Sequence, residues 1–165
     1  MISKLNLTVG DLVVRYGKVL KVFQIKKDAV SLRPFFNSQS SHGLTFTLKQ
    51  KSVSQGHVRR LVSKTKLKDL LNLIIKKSIA KDRCPAFDSD TALNRNRLTD
   101  ALWVLKTLWL EKQERSDTLA TGKSNIFQRV LLQTAEEIAA VNRTSPERAK
   151  LQLLSGLKAS LKTNS

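Results

Sequence analysis

The chain has 165 residues, and 41% of them are hydrophobic, which is typical of a folded protein and argues against disorder throughout. Thirty Lys and Arg residues against thirteen Asp and Glu residues give a net charge of +17, which favours a polyanionic partner, nucleic acid first and an anionic membrane second. No apolar run approaches the roughly 20 residues of a spanning helix, and no secretory signal is visible. The single cysteine cannot form an internal disulfide. We therefore expect a cytoplasmic protein without membrane contact.

Residues 1–62 are predicted to form a small antiparallel β-domain. The apolar runs there are short, rich in β-branched and aromatic residues, and separated by turn-forming residues. The predicted strands are Leu12–Tyr16, Val19–Ile25, Ala29–Phe36, Leu44–Leu48 and Val58–Val62. Five short strands with such spacers predict a small antiparallel barrel or curled sheet. Pro34 is expected at a strand edge or bulge, because it cannot donate to a ladder.

Residues 63–165 are predicted to form a compact bundle of about four to five helices, because the apolar residues there recur at helical spacing. The predicted helices span residues 63–81, 99–114 and 124–142, and a last one begins at Pro146 with Ser145 as its N-cap. A loop is predicted over residues 82–90, where Pro85 stands among aspartates. The predicted fold class is therefore α+β.

Positive charge is dense in both parts of the chain. Residues 1–62 have a net charge of +9 and residues 63–165 have +8, and between Lys64 and Arg97 nine bases stand against four acids. A solvated lysine face explains any single one of these residues, but their clustering around one helix and the following loop favours contact with nucleic-acid phosphates. The predicted DNA-binding residues are Lys76, Lys77, Lys81, Arg83, Phe87, Arg95 and Arg97.

Catalytic motifs are not evident in the sequence. His42 and His57 have no sequence partner that suggests a triad, and with Cys84 they are too few to fill a four-ligand zinc site. Gly122-Lys123-Ser124 looks like the end of a phosphate-binding loop, but the glycine which that motif requires earlier is replaced by Asp117. We therefore expect no enzyme, no cofactor, no metal site and no small-molecule substrate.

Two patterns open and close the chain in a characteristic order. The opening reads V-G-D-x-V-V, at Val9, Gly10, Asp11, Val13 and Val14. The closing pattern is an apolar helix, a polar break and S-P-E-x-A, at Ala135, Ile138, Ala139, Ser145, Pro146, Glu147, Ala149 and Leu157. With the basic β-part and the helices between them, residues 7–161 resemble the CarD-like family of bacterial transcription regulators.

The resemblance implies a fold and two partners. Members of the family have an N-terminal Tudor-like domain, shared with the transcription-repair coupling factor, that docks on the β-subunit lobe of RNA polymerase. A helical C-terminal domain contacts DNA at the upstream edge of the transcription bubble. The resemblance thus implies a Tudor/SH3-like barrel for RNA polymerase interaction in residues 1–62, a DNA-contacting domain in residues 63–165, and a nucleoid-associated location through the polymerase.

An exposed edge strand in the β-part would serve as the docking surface for the polymerase. The segments FTLKQKSV and SLRPFF are the two candidates for this strand. The predicted partner-binding residues are Arg33, Phe46, Lys49 and Lys51. Because the polymerase would supply location, contacts with duplex promoter DNA could be weak and largely independent of sequence.

Two features depart from the family pattern. The family's proline-histidine-glycine turn is replaced by Arg15-Tyr16-Gly17, and the loop before the central helices lacks the tryptophan that the family inserts into the minor groove. Phe87 is the nearest candidate for such an apolar wedge, and a buried loop anchor is the alternative.

Two other functions remain open at this point. A basic RNA-binding or ribosome-associated module would share the V-G-D opening and the charge, and would bind structured RNA without polymerase. A protein-only adaptor would use its positive charge for an acidic protein and would show no salt-sensitive affinity for DNA.

Overall fold

The computed structural model describes residues 5–36, 43–53, 57–77 and 88–162, and in this part the chain has an α+β architecture. The strands are β1 (Leu12–Arg15), β2 (Lys18–Lys26), β3 (Ala29–Pro34), β4 (Phe46–Lys49) and β5 (Arg59–Arg60). The helices are α1 (Gln50–Ser52), α2 (Lys64–Leu70), α3 (Ser89–Asn94), α4 (Leu98–Glu114), α5 (Thr121–Asn142) and α6 (Pro146–Lys162), and a π-helical turn (Leu71–Lys76) continues α2.

The five strands form one antiparallel sheet in the order β4-β3-β2-β1-β5. The first four strands make a meander, and β5 returns beside β1. The sequence predicted a barrel or a curled sheet. Within the described residues β4 and β5 are opposite edges of an open sheet, so the closed barrel is not seen. The two edge strands are short, with four residues in β4 and two in β5.

Two irregularities shape the sheet. The β2–β3 register shifts between Val22 and Gln24, which leaves Phe23 as a bulged residue on β2. Pro34 lies opposite Leu20 at the end of β3, past the point where β4 pairs with that strand. The predicted position of Pro34 at a strand edge is therefore confirmed, since no neighbouring strand needs the missing N–H there.

Capping residues define where the helices begin. Ser63 accepts a hydrogen bond of 3.2 Å from the backbone N–H of Lys66 and so caps α2. Ser145 accepts one of 3.2 Å from the backbone N–H of Arg148, which confirms its predicted role as the N-cap of α6. The sequence did not predict α3, whose first residues lie in the expected loop. Asp88 caps this helix, and hydrogen bonds from the side chain and backbone of Thr91 lower the pKa of its carboxyl group.

The buried hydrophobic residues form two clusters. One lies on a face of the sheet, within residues 13–58, and the other lies among the helices, within residues 67–157. The fully buried Lys106 on α4 donates hydrogen bonds to the carbonyl of Ile75 (3.2 Å) and to the hydroxyl of Ser160 (2.5 Å), which connects the π-helical turn, α4 and α6. The domain boundary predicted at residue 62 falls between the two clusters, and independent folding of each part stays a prediction.

A group of hydrogen bonds centred on Asn96, Arg59 and Glu137, here called the sheet–helix junction, joins the sheet to the helices. Asn96, between α3 and α4, donates through its side-chain amide to the carbonyls of Val14 (3.1 Å) and His57 (3.2 Å). The guanidinium of Arg59 on β5 donates to both carboxylate oxygens of Glu137 on α5, at 2.6 and 2.7 Å. The Nε of Arg59 also donates to the carbonyl of Asn96 at 2.5 Å. Asn96 and Glu137 are both buried, so these bonds fix the sheet against α4 and α5 in the absence of competing water.

We expect substitution of Asn96 to weaken the junction through two separable effects. Asn96→Gly removes the buried side-chain bonds and is expected to lower the free energy of unfolding by about 2–3 kcal/mol. Asn96→Ala is expected to cost about 1 kcal/mol more, because Asn96 has a φ of 53°, a left-handed conformation that alanine disfavours and glycine accepts. Urea denaturation of both variants and of Asn94→Ala, an exposed neighbour, measures the two costs. Equal stability of the Asn96 and Asn94 variants would contradict the stabilising role of the Asn96 side-chain hydrogen bonds.

Candidate nucleic-acid and partner interfaces

The edge strand β4 displays part of the predicted partner-binding set. Lys49 is exposed at the end of β4, Lys51 is exposed in the short helix α1, and Phe46 is half-buried against the sheet core. Arg33 is exposed on β3, a strand that pairs on both sides as far as Leu32. Of the two segments considered for docking, FTLKQKSV therefore provides the edge strand, and Arg33 lies beside it.

An exposed aromatic side chain accompanies Arg33. The guanidinium of Arg33 lies 3.4 Å from the ring centroid of Phe23, the bulged residue of β2, and its Nε lies within 3.4 Å of the hydroxyl of Thr45. Phe23 is 46% exposed, so the pair forms a surface that combines positive charge with an aromatic ring. Sequence reasoning did not single out Phe23, although strand alternation with the buried Leu20 and Val22 already places it on the outer face of the sheet.

The predicted DNA-binding residues fall into two groups on the structure. Lys76 and Lys77 are exposed at the end of the π-helical turn, whereas Arg95 and Arg97 are exposed in the connection from α3 to α4. The bond from Lys106 to the carbonyl preceding Lys76 places the first group beside the middle of α4, about 13 Å along the helix from Arg97. The other three predicted residues, Lys81, Arg83 and Phe87, lie outside the described residues.

A basic cleft of about 670 Å³ lies between the sheet and the start of α4. Its lining residues are Arg59, Arg60, Leu61, Val62, Ser63, Lys66, Arg97, Leu98, Thr99 and Asp100. Arg60 is half-exposed, forms a 3.5 Å ion pair with Asp11 and donates to the carbonyl of Asn6. Neither Lys66 nor Arg97 has an ion pair within the part of the chain that the structure describes. The cleft thus presents a net positive charge that suits phosphate groups.

Sequence reasoning found only part of this cleft. The predicted DNA-binding residues include Arg97, but the sequence places Arg59 and Arg60 only in a strand of the β-part and predicts no DNA contact for them. The pairing of β5 with β1 brings these two arginines beside the start of α4. That pairing joins residues more than forty positions apart in the sequence, which local spacing does not reveal.

A second concavity, here called the junction cavity, has a volume of about 290 Å³ and lies on the other side of Arg59 and Arg97. Its lining residues are Tyr16, Gly17, Arg59, Asp90, Leu93, Asn94, Asn96, Arg97, Leu98, Ala101, Arg129, Gln133, Thr134 and Glu137. The side-chain amide of Gln133 donates to the carbonyl of Tyr16 at 3.1 Å, which fixes the β1–β2 turn against α5. Gly17 has a φ of 79°, a left-handed conformation that favours glycine, and a Cβ atom there would also lie 2.7 Å from the Oε1 atom of Gln133.

Glu136 on α5 also faces the sheet. Partial burial raises the pKa of its carboxyl group, while the charge of Lys18 and the backbone N–H of Val19 offset part of that effect. Its ionised form is thus held in a less favourable environment than water, next to the bonds of the junction.

None of the helices in the described part of the chain offers an apolar stretch long enough to cross a bilayer. Among the same residues, His, Cys, Asp and Glu side chains do not gather in groups of three or more that would suit a metal ion. No protein-family model and no curated protein sequence matches this chain.

We expect Glu136→Gln to stabilise the protein at neutral pH by no more than about 1 kcal/mol, because the carboxylate is only partly buried. The raised pKa means that the folded state binds a proton more readily than the unfolded state, so the wild-type protein loses stability as pH rises from the ordinary carboxyl pKa through the folded pKa. The gain from Glu136→Gln should therefore vanish below the ordinary carboxyl pKa. Denaturant unfolding at several pH values measures it.

Glu147→Gln serves as the matched control for this prediction. Glu147 is exposed in the first turn of α6, where a negative charge favours the helix, so its neutralisation should cost a few tenths of a kcal/mol at neutral pH. A gain from Glu136→Gln that persists unchanged at acidic pH would show that the effect does not come from the charge.

Proposed function

We propose that this chain is a non-catalytic transcription regulator of the CarD-like type. In this proposal the sheet docks on the β-subunit lobe of RNA polymerase, and the basic surface of the helical part contacts promoter duplex DNA near the upstream edge of the bubble. The observation that carries the proposal is the presence of two separate basic surfaces on one molecule, at opposite edges of the same sheet.

The distance between these surfaces suits a bridging role. The β4 edge with Lys49 and the β5 edge beside the basic cleft are separated by four strand spacings, which is about 19 Å. Because the sheet–helix junction fixes β5 and α4 against each other, a partner bound at β4 would hold the cleft at a defined position. A protein that contacts DNA while bound to the polymerase needs such a defined distance between its polymerase-docking edge and its DNA-contacting cleft.

The strand connections support the Tudor-like part of the proposal. After a four-strand meander, the short helix α1 precedes β5, and β5 returns to pair with β1. This connection brings the first and last strands of the unit together, as the strand order of a small SH3-like or Tudor-like barrel requires.

The proposed mechanism is tethering. The polymerase raises the effective concentration of the cleft near the DNA, so a few phosphate contacts without base recognition are sufficient. Binding to the opened promoter in preference to the closed duplex would then stabilise the open complex. Arg60, Lys66 and Arg97 in the cleft, with Arg95 beside it, are the proposed phosphate contacts, and Lys76 and Lys77 form a second, separate contact.

The contribution of each group to DNA binding is measurable from its salt dependence. Arg60→Gln and Lys66→Gln should each weaken duplex binding irrespective of sequence and should each reduce the slope of log affinity against log salt by about 0.9. The double variant Lys76→Gln/Lys77→Gln tests the second contact by the same titration. Arg148→Gln/Lys158→Gln, which removes two exposed charges from α6, is the control. An unchanged slope in the cleft variants would exclude the cleft as the DNA site.

Docking on the polymerase is tested separately with the full-length chain. We expect Lys49→Glu/Lys51→Glu to weaken capture of bacterial RNA polymerase about tenfold or more, because charge reversal replaces attraction to an acidic lobe with repulsion. Arg148→Glu/Lys158→Glu provides a control with the same change in net charge. Failure of the wild-type chain to capture the polymerase would exclude the proposed function.

A second candidate function, RNA binding, is favoured by one observation. Phe23 is a half-exposed ring with Arg33 stacked on it, on the most basic part of the chain, and unpaired bases stack on such groups. Tight binding of structured RNA without polymerase, with a loss of several-fold in Phe23→Ala, would support this candidate over the regulator.

A further inference from the structure

The junction cavity has features of a small-molecule site. Its volume of about 290 Å³ is near the lower limit of ligand pockets, and its walls come from the β1–β2 turn, β5, α3, α4 and α5. A molecule bound there would contact both the sheet and the helices. The cavity shares Arg59, Arg97 and Leu98 with the basic cleft, whereas Arg129, Gln133 and Thr134 line the cavity and not the cleft.

The three arginines that line the cavity differ in their ion pairs. Arg59 is paired with the buried Glu137, so these two charges balance each other. Arg129 lies 3.6 Å from Asp90, and both side chains of this pair are more than half exposed, which makes the contact weak. Arg97 has no ion pair within the described residues. Two guanidinium groups, those of Arg97 and Arg129, thus remain available at one cavity.

One buried polar group in the cavity wall has no partner among the described residues. Thr134 lines the cavity and is only 2% exposed, and its hydroxyl makes no hydrogen bond within that part of the chain. A buried hydroxyl without a partner is unfavourable, and such groups usually have an explanation in a ligand or an ordered water. This observation points to a ligand independently of the charges.

Tyr16 also lines the cavity, and the guanidinium of Arg15 lies 5.3 Å from the centroid of its ring. The ring is half-exposed, and its hydroxyl is held at 3.2 Å from the Nδ1 atom of His57. A planar base stacks favourably on such a fixed ring. Guanidinium groups for a phosphate, a ring for a base and a free hydroxyl together suit a nucleotide rather than a simple anion.

We propose that the junction cavity binds a small phosphate-bearing ligand of the size of a nucleoside monophosphate, with Arg97 and Arg129 on the phosphate and Thr134 as a hydrogen-bond partner. Binding at this position joins the sheet to α4 and α5 and so stabilises the folded chain. Arg97 is shared with the proposed DNA contact, but Arg129 and Thr134 line the junction cavity and not the basic cleft, so their variants test this proposal independently of the regulator function.

Thermal unfolding and isothermal titration of the full chain test the proposal with AMP, GMP, adenosine and inorganic phosphate. We expect AMP or GMP to bind saturably and raise the melting temperature, and adenosine to bind at least tenfold more weakly because it lacks the phosphate. Arg97→Gln and Arg129→Gln should each lower the affinity at least tenfold. Arg148→Gln, which removes an exposed arginine of α6, should leave it unchanged.

Thr134→Val distinguishes a ligand contact from a packing defect. The substitution removes the unpaired hydroxyl at nearly constant volume, so the free protein should melt at a higher temperature while the affinity for the nucleotide falls several-fold. An affinity that is unchanged in Thr134→Val would remove Thr134 from the site. Absence of saturable binding of AMP, GMP and phosphate at millimolar concentrations, or equal binding to the Arg97→Gln and Arg129→Gln variants, would overturn the proposal.

Discussion

The carboxylate of Glu137 is almost completely buried, on the side of α5 that packs against the sheet. A buried charge of this kind costs several kcal/mol unless a partner compensates it, and Arg59 supplies a two-bond guanidinium contact from β5. The same arginine holds the carbonyl of Asn96, whose side chain reaches back to β1. The position of the sheet relative to the helices therefore depends on this pair, and so does the placement of both concavities on either side of it.

The basic surfaces differ in how firmly the fold defines them. Arg60 and Lys66 lie next to the junction, whose bonds hold the backbone on the two sides of the cleft together. Lys49 lies on the far edge strand β4, which pairs with β3 alone in the described part of the sheet, and Lys51 follows in α1. A partner at that edge can extend the sheet with its own backbone. A rigid cleft suits a regular polymer of phosphates, whereas an open strand edge suits a protein chain.

Local sequence patterns predicted most of the strands and helices. The features that they did not predict depend mainly on pairing between distant residues. All five predicted strands recur in the structure with shifted ends, and the starts of α2 and α6 follow from periodicity and from the cap Ser145. The helix after Asp88 was missed because its capping aspartate resembled loop composition. The open sheet and the approach of Arg59 to α4 depend on register and on contacts between distant residues, which no local spacing encodes. The sequence therefore predicted only part of the candidate site.

The bonds of the sheet–helix junction join residues that are far apart along the chain, 78 positions for Arg59 and Glu137 and 82 for Asn96 and Val14. The meander of β1 to β4 and the pairing of α4, α5 and α6 close much shorter loops. Because long loops cost more entropy before any contact compensates them, we expect the junction to form after the local contacts of each part. Interactions that form after the folding transition state slow the unfolding of the native protein rather than speed its folding, so the junction would act mainly on the unfolding rate.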